Sequence, residues 1–212
     1  MTERVKYPKT MHLPWSPGLM NDDRVVAHLE AFRGEEVIVT EKMDGENTTL
    51  YNDTLHARSI DGRYHPSRDW IKRFWAETVA YRLPELRRIC GENMYAQHSI
   101  RYDNLETYFY GFGVWDNDMC LGWDDTLSCF EEWGITPVPI LWRGEWNETM
   151  IRELSEDLDL ERQEGLVVRV TRAFKAEEFP LVVAKWVRSD HIKTDEHWMH
   201  QAVTPNKLQE SG

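Results

Sequence analysis

Cysteine is scarce in this chain, and positive charge is outnumbered. Only Cys90, Cys120 and Cys129 occur, and no two of them form a Cys-x-x-Cys pair. An odd, sparse set argues for reduced thiols in a cytoplasmic setting (host cytoplasm for a phage-encoded protein). They read as small buried hydrophobes rather than as a disulfide framework. No apolar run approaches the roughly 18 residues of a membrane span. The opening Met1–Lys6 has no apolar stretch behind its charges, which argues against a secretory signal. Internal repeats and low-complexity tracts are absent as well. Against 37 Asp and Glu stand only 25 Lys and Arg, a net charge of -12. That balance argues against broad, non-specific nucleic-acid binding, which feeds on positive charge.

The rest of the composition is that of a soluble globular chain. It has 212 residues, 41% hydrophobic and 29% charged, enough for one well-cored domain and marginal for two. The charge is unevenly spread. Residues 57–90 hold eight Arg and Lys against four acids, whereas residues 144–164 hold eight acids against two Arg. A basic face on an acidic protein is one reading of this, and solvated helix surfaces are the other.

Periodicity supplies the elements. The opening Tyr7–Gly18, with three prolines, predicts an ordered loop or extended arm. Residues 22–33 predict a short helix with Val25, Val26, Leu29 and Phe32 on one side. Glu36–Thr40 is a β-branched strand. Thr48–Tyr51 and Thr54–Arg58 flank Asn52-Asp53, a two-residue hairpin turn. Ser67 reads as the N-cap of a helix through about Leu83, with Trp70, Ile71, Phe74 and Trp75 turned inward and Pro84 ending it. Asn93–Ser99, Tyr108–Trp115, Ile135–Leu141, Leu166–Val170 and Leu181–Val187 read as strands, and residues 148–158 as a helix. Strands joined by hairpins and interrupted by helices predict an antiparallel α+β domain rather than alternating βαβ units.

The most informative segment is Glu41-Lys42-Met43-Asp44-Gly45-Glu46-Asn47, between a strong strand and a hairpin. A lysine fixed at a strand end can be a covalent nucleophile, provided that burial or neighbouring cations depress its ordinary pKa of about 10.4. Four residues of this kind are weak alone, and a charged turn is the plainer reading. The order of the remaining segments adds weight. Ala57-Arg58-Ser59, Gly91-Glu92-Asn93, Tyr108–Val114, Glu164-Gly165-Leu166-Val167-Val168-Arg169 and Val183-Ala184-Lys185-Trp186-Val187-Arg188 follow in turn.

Together these six elements resemble the covalent nucleotidyltransferases, the ATP-dependent RNA and DNA ligases and mRNA capping enzymes. Glu-Lys-x-x-Gly-x-Asn is most similar to the phage-type double-strand RNA ligases. The resemblance spans about residues 36–190. It implies a nucleotidyltransferase domain, ATP-grasp-like, with antiparallel sheets and flanking helices around an ATP cleft, over 1–212 as a single domain without a C-terminal OB or helical domain. The implied function is ATP-dependent RNA ligation through a lysyl-AMP intermediate, with AMP passed to a 5′-phosphate that is then joined to a 3′-hydroxyl. The alternatives are a DNA ligase, a GTP-dependent capping guanylyltransferase, or a non-catalytic nucleotide- or nucleic-acid-binding module.

Site roles follow from the same resemblance. Lys42 is the implied nucleophile, and Lys185 supplies fixed positive charge, with Arg188 as a helper. Glu41, Asn47, Arg58, Glu92, Phe112 and Glu164 surround the nucleotide, Phe112 stacking on the base and Arg58 and Glu92 on the ribose. Glu164 is the implied ligand of Mg²⁺ or Mn²⁺. The terminal element of the family carries two lysines one residue apart, but here Val183 and Val187 stand beside Lys185. RNA, including a nicked duplex, is the expected partner beside ATP, without a membrane. Arg63, Arg68 and Lys72 are expected to line the nucleic-acid path, with Arg68 and Lys72 on one helix face. His191, His197 and His200 read as surface or capping histidines rather than a zinc site. Trp123-Asp124-Asp125 and Glu131-Glu132 read as loop and helix surface.

Overall fold

A computed structural model describes residues 4–19, 23–60, 64–189 and 203–210. From the N-terminus the elements are β1 (Met11–His12), β2 (Glu36–Lys42), β3 (Glu46–Leu50), β4 (Leu55–Ala57), α1 (Asp69–Phe74), β5 (Arg87–Asn93), β6 (Phe109–Asp116) and β7 (Met119–Cys120). There follow α2 (Trp123–Trp133), β8 (Thr136–Pro137), β9 (Ile140–Glu145), α3 (Glu148–Glu156), β10 (Gly165–Val170), β11 (Phe174–Lys175), α4 (Phe179–Val182) and β12 (Val183–Val187). Short 3₁₀ turns lie at Glu30–Phe32 and Pro66–Arg68, and a π turn at Trp75–Val79. The expected antiparallel α+β class is what forms.

Two sheets carry the structure. One runs β1-β12-β10-β2-β9, the other β11-β7-β6-β5-β3-β4 with β8 beside β6. Among the paired strands of the described residues, β1–β12 and β6–β8 run parallel and the others antiparallel. Along β10, Leu166, Val168 and Val170 are fully buried, while the alternate residues Val167 and Arg169 face a cleft between the sheets. This is the period-two alternation of a strand with one face in the core and one on a site. A shared core joins the sheets through Val37, Val39, Leu166, Trp115, Phe174 and Phe179.

Gly165 permits the close approach of β10 to β12. A Cβ there would lie 2.0 Å from the Trp186 carbonyl oxygen, so no other residue fits. Gly45, after Lys42, is required for the same reason: its Cβ would meet the Asn93 carbonyl at 2.6 Å.

Three sequence expectations are corrected. Residues 24–26 run extended beside β1, with the His12 amide donating to Arg24 and the Val26 amide to His12, so helix is confined to Glu30–Phe32. The strand expected at Asn93–Ser99 lies earlier, at Arg87–Asn93. The later backbone is claimed by side chains instead: Asp44 accepts the Ser99 and Ile100 amides, each at 2.7 Å, and Asn206 donates to the Met94 carbonyl. The helix at Ser67 is broken into 3₁₀, α and π turns. His65 caps it, accepting the Ser67 amide at 3.3 Å, while Ser67 is buried.

Two further strands shift: the one expected at Ile135–Leu141 divides into Thr136–Pro137 beside β6 and Ile140–Glu145 beside β2, and the one expected from Leu181 starts at Val183, after the α4 turn. Other expectations hold. The Asn52-Asp53 turn closes with the Tyr51 amide donating to Thr54, and Asn147 caps α3 through the Met150 amide. All three cysteines are free and buried. No helix among the described residues is long and apolar enough to cross a membrane. His191, His197, His200 and Arg63 lie outside the described residues.

Candidate active site

The cleft between the sheets has a volume of about 710 Å³. Its floor is ordered by strand register. Lys42, the last residue of β2, is level with Gly165 and Val187; Thr40 is level with Val167 and Lys185; Ile38 is level with Arg169 and Val183. The facing wall contributes Asn47 and Glu92, cross-strand partners on β3 and β5, together with Arg58 and Phe112. Glu41, Lys42, Asn47, Arg58, Glu92, Phe112 and Lys185 therefore line one cavity. Glu164 joins them through a short charged hydrogen bond from Lys42 Nζ, its carboxylate nearly inaccessible.

Electrostatics set the protonation of this group. Burial alone would lower the proton affinity of Lys42, but Glu164, Glu92 and Asp44 outweigh it, so the lysine is held above its ordinary value. The expected depression is absent, because carboxylates outweigh the cations around it. Glu92 is the converse case. Burial, with Glu164 and Asp44 nearby, pushes its carboxyl up to about 8 against the pull of Lys42. Lys185 is lowered by burial and by the neighbouring Lys42 and Arg58. Burial raises Glu41, opposed by a hydrogen bond from Gln163 Nε2 at 3.0 Å.

The cavity has unmet polar valence. Asn47 Oδ1 is buried and accepts no hydrogen bond among the described residues. Buried polar atoms are nearly always satisfied, so this one fits a bound donor such as a sugar hydroxyl. Metal-ligating side chains do not gather in groups of three or more among the described residues. The chain thus offers isolated carboxylates such as Glu164 rather than a cage. That suits Mg²⁺, which keeps waters and shares itself with substrate phosphates.

The nucleic-acid residues divide. Arg68 is not on an exposed ridge with Lys72: it turns inward to the cleft wall, where its guanidinium grips both oxygens of Glu46. The 3₁₀ turn at Pro66–Arg68 breaks the helical spacing that would have put Arg68 and Lys72 on one face. Lys72 is exposed and lies 4.8 Å over the Tyr64 ring. Arg188 points away from the cleft lining, donating to the Leu160 carbonyl and to Ser99 Oγ, so it does not replace the absent second lysine.

Residues outside the sequence expectation also line the cavity: Tyr7 and Lys9 from the opening arm, Glu46, His98 and Arg169. Tyr7 packs edge-on at 5.1 Å from Phe112. The pairing of β1 with β12, His12 level with Lys185, brings this arm to the site. Local sequence gives no sign of that pairing.

No curated protein is matched. Among solved structures, a Naegleria gruberi RNA ligase mutant with AMP and Mn superposes with a TM-score of 0.58 at 17% identity, covering 87% of this chain and 56% of that one. An archaeal ATP-dependent RNA ligase gives 0.54 at 16%, covering 86% and 48%, and a putative ATP-dependent DNA ligase from Aquifex aeolicus gives 0.52 at 18%, covering 86% and 50%. The chain thus spans about half the length of these proteins, and at such identities the likeness is one of fold. A family model described as RNA ligase matches residues 35–187, the stretch from β2 through β12 that builds the cleft, and by that match the chain belongs to the RNA ligase family.

Proposed function

We propose that this protein is an ATP-dependent RNA ligase that uses Lys42 as its covalent nucleophile. The observation that carries the reading is the convergence in one cleft of Lys42, bonded to Glu164, with Lys185 one row along the sheet and Asn47, Arg58 and Glu92 opposite. The Lys42 amine attacks the α-phosphorus of ATP. An N–P bond forms, the P–O bond to pyrophosphate breaks, and the amine loses a proton. AMP then passes from Lys42 to an RNA 5′-phosphate, and a 3′-hydroxyl attacks that phosphate and expels AMP.

The chain's residues divide this work. Lys42 must shed its proton to attack, and its hydrogen bond to Glu164 holds that proton. A divalent cation held by Glu164 would weaken the carboxylate's hold on the amine, and the nearby Lys185 charge disfavours reprotonation. A Mg²⁺ or Mn²⁺ ion held by Glu164 would supply charge neutralisation at the phosphates. Lys185, and Lys9 from the arm, complement phosphate charge. Asn47, Arg58 and Glu92 bind sugar and phosphate, and Phe112 stacks on the base. RNA approaches across the exposed Arg58, Lys72 and Arg73. RNA rather than DNA is favoured by the family match. Three buried free thiols suit a cytoplasmic setting.

Incubation with α-labelled ATP, followed by a denaturing gel, tests the reading. Wild type is expected to become labelled and Lys42→Ala to remain unlabelled while still sealing a pre-adenylylated RNA strand. Label retained by Lys42→Ala, or labelling by GTP in preference to ATP, overturns it.

A further inference from the structure

The segment between β4 and α1 leaves the cleft and returns to it. Ala57, Arg58 and Ser59 line the cavity at its start, and Arg68 lines it at its end. Tyr64 lies four residues before Arg68, so even a fully extended chain keeps it within about 13 Å of the cleft wall. Among the described residues Tyr64 and Tyr81 are the exposed aromatics, and Tyr64 is the one that belongs to this bordering segment. Its relative exposure is 67%.

The ring does not dangle. Its hydroxyl donates to the Asp69 carboxylate at 2.8 Å, and the Lys72 ammonium sits 4.8 Å from the ring centroid. These contacts use the hydroxyl and one face, and leave the opposite face to solvent. A ring fixed in this way has little rotamer freedom left to lose on binding, so it is a preformed platform. The chain near it is cationic on the outside: Arg58, Lys72 and Arg73 are exposed, and the Asp69 charge is engaged by the tyrosine itself. On a protein of net charge -12 this local balance attracts anions that most of the surface repels.

A flat aromatic face flanked by cations suits one class of ligand. Single-stranded nucleic acid lays a base on the ring and its phosphates on the cations, with little regard to sequence. Within a duplex both faces of a base are covered by its neighbours, so only an unpaired base can lie on a protein ring.

We infer that Tyr64 stacks on an unpaired base of the RNA strand beside the ligation junction, while Lys72 and Arg73 meet the adjoining phosphates. This rests on the RNA ligase reading above, and adds to it that the substrate is single-stranded at that nucleotide.

The test reads kcat/KM for sealing of a pre-adenylylated single-stranded RNA, intact or with one base at a time replaced by an abasic residue. Loss of one base–ring stack is expected to lower wild-type sealing about 5- to 100-fold at one abasic position near the junction. Tyr64→Ala should show the same loss on the intact strand and become indifferent to that abasic position. Tyr64→Phe, which keeps the ring, should stay close to wild type. On a fully paired nicked duplex, Tyr64→Ala should equal wild type. An abasic scan that is flat in wild type overturns the inference, as does a Tyr64→Ala variant that seals the intact strand normally or still senses the abasic position. An equal loss on the nicked duplex overturns it too, because the contact is then not to an unpaired base. Labelling of Lys42 by ATP separates the two readings: wild type that takes no label refutes the ligase reading, whereas normal labelling with a flat scan refutes the stacking alone.

Discussion

Replacing Arg68 with methionine measures what the inward turn of this residue is worth. Its Nε lies 3.1 and 2.8 Å from the two oxygens of Glu46, its Nη2 also meets Oε1, and the two side chains are 11% and 9% exposed. Methionine keeps much of the apolar stem but removes the charge and every donor, leaving Glu46 buried without its counter-ion. Breaking a buried pair from one side costs about 3–5 kcal/mol. For a chain of this length each kcal/mol moves the melting point by about 2–4 °C, so a fall of roughly 6–20 °C is expected. An arginine on an exposed ridge would give about 0.5 kcal/mol or less. Thermal unfolding followed by circular dichroism distinguishes the two. The double variant Arg68→Met with Glu46→Met should recover most of the loss, since removing both buried charges is often close to neutral. If Arg68→Met melts within about 2 °C of wild type yet binds RNA more weakly, the buried pair is refuted and the residue belongs on the RNA path.

Glu92→Gln should flatten the pH dependence of stability. With a folded pKa near 8 and an unfolded value of about 4.3, native Glu92 holds a proton that the unfolded chain has released, so stability is lost as pH rises between the two. The variant is therefore expected to be more stable than wild type at pH 8 and equal to it at pH 4, by denaturant midpoints; the opposite ordering counts against a raised carboxyl. Asn206→Ala strips the acceptor of the Tyr102 amide at 3.0 Å and the donor to the Met94 carbonyl at 2.7 Å, both around a buried side chain. A cost of about 1–3 kcal/mol is expected, read by urea unfolding and by faster proteolysis near residue 100. Lys72 is exposed and its one ring contact among the described residues is Tyr64, so the melting point of Lys72→Glu should stay within about 2 °C of wild type. The apparent KM for RNA should rise while labelling of Lys42 by ATP is unchanged; an unaltered KM removes Lys72 from the RNA path.

Much of the architecture was legible because it is local. The β-branched run at residues 36–40, the Asn52-Asp53 turn and the valine-rich strands expected at 166–170 and 181–187 carry their periodicity in a few neighbours, and each forms, the last only from Val183 because Phe179–Val182 make a helical turn. The α2 helix buries Trp123, Thr126, Cys129, Phe130 and Trp133 at spacings of three and four, but the sequence reading took only its acids, as loop and helix surface, and missed the helix. The segment after Asn93 failed for a physical reason. Its backbone hydrogen bonds go largely to distant partners, among them the Asp44 and Asn206 side chains, about 50 and 110 residues away, and the Thr204 carbonyl, and no propensity encodes such partners.

The sequence by itself determined which chemical groups are available and their order along the chain: Lys42 at a strand end, Glu92, Phe112, Glu164 and Lys185. Strand alternation alone puts Val167 and Arg169 on one face. Tertiary structure decided how those groups are charged and which are spent on the fold. Arg58 and Arg68 look alike in sequence, but a 3₁₀ turn directs Arg68 onto Glu46 while Arg58 stays in the cleft. Lys42, expected to lose its proton readily, is held protonated because Glu164 and Glu92 from distant segments converge on it beside its near neighbour Asp44. Coulombic energies depend on distance and burial, and both are fixed only when the two sheets close around the cleft.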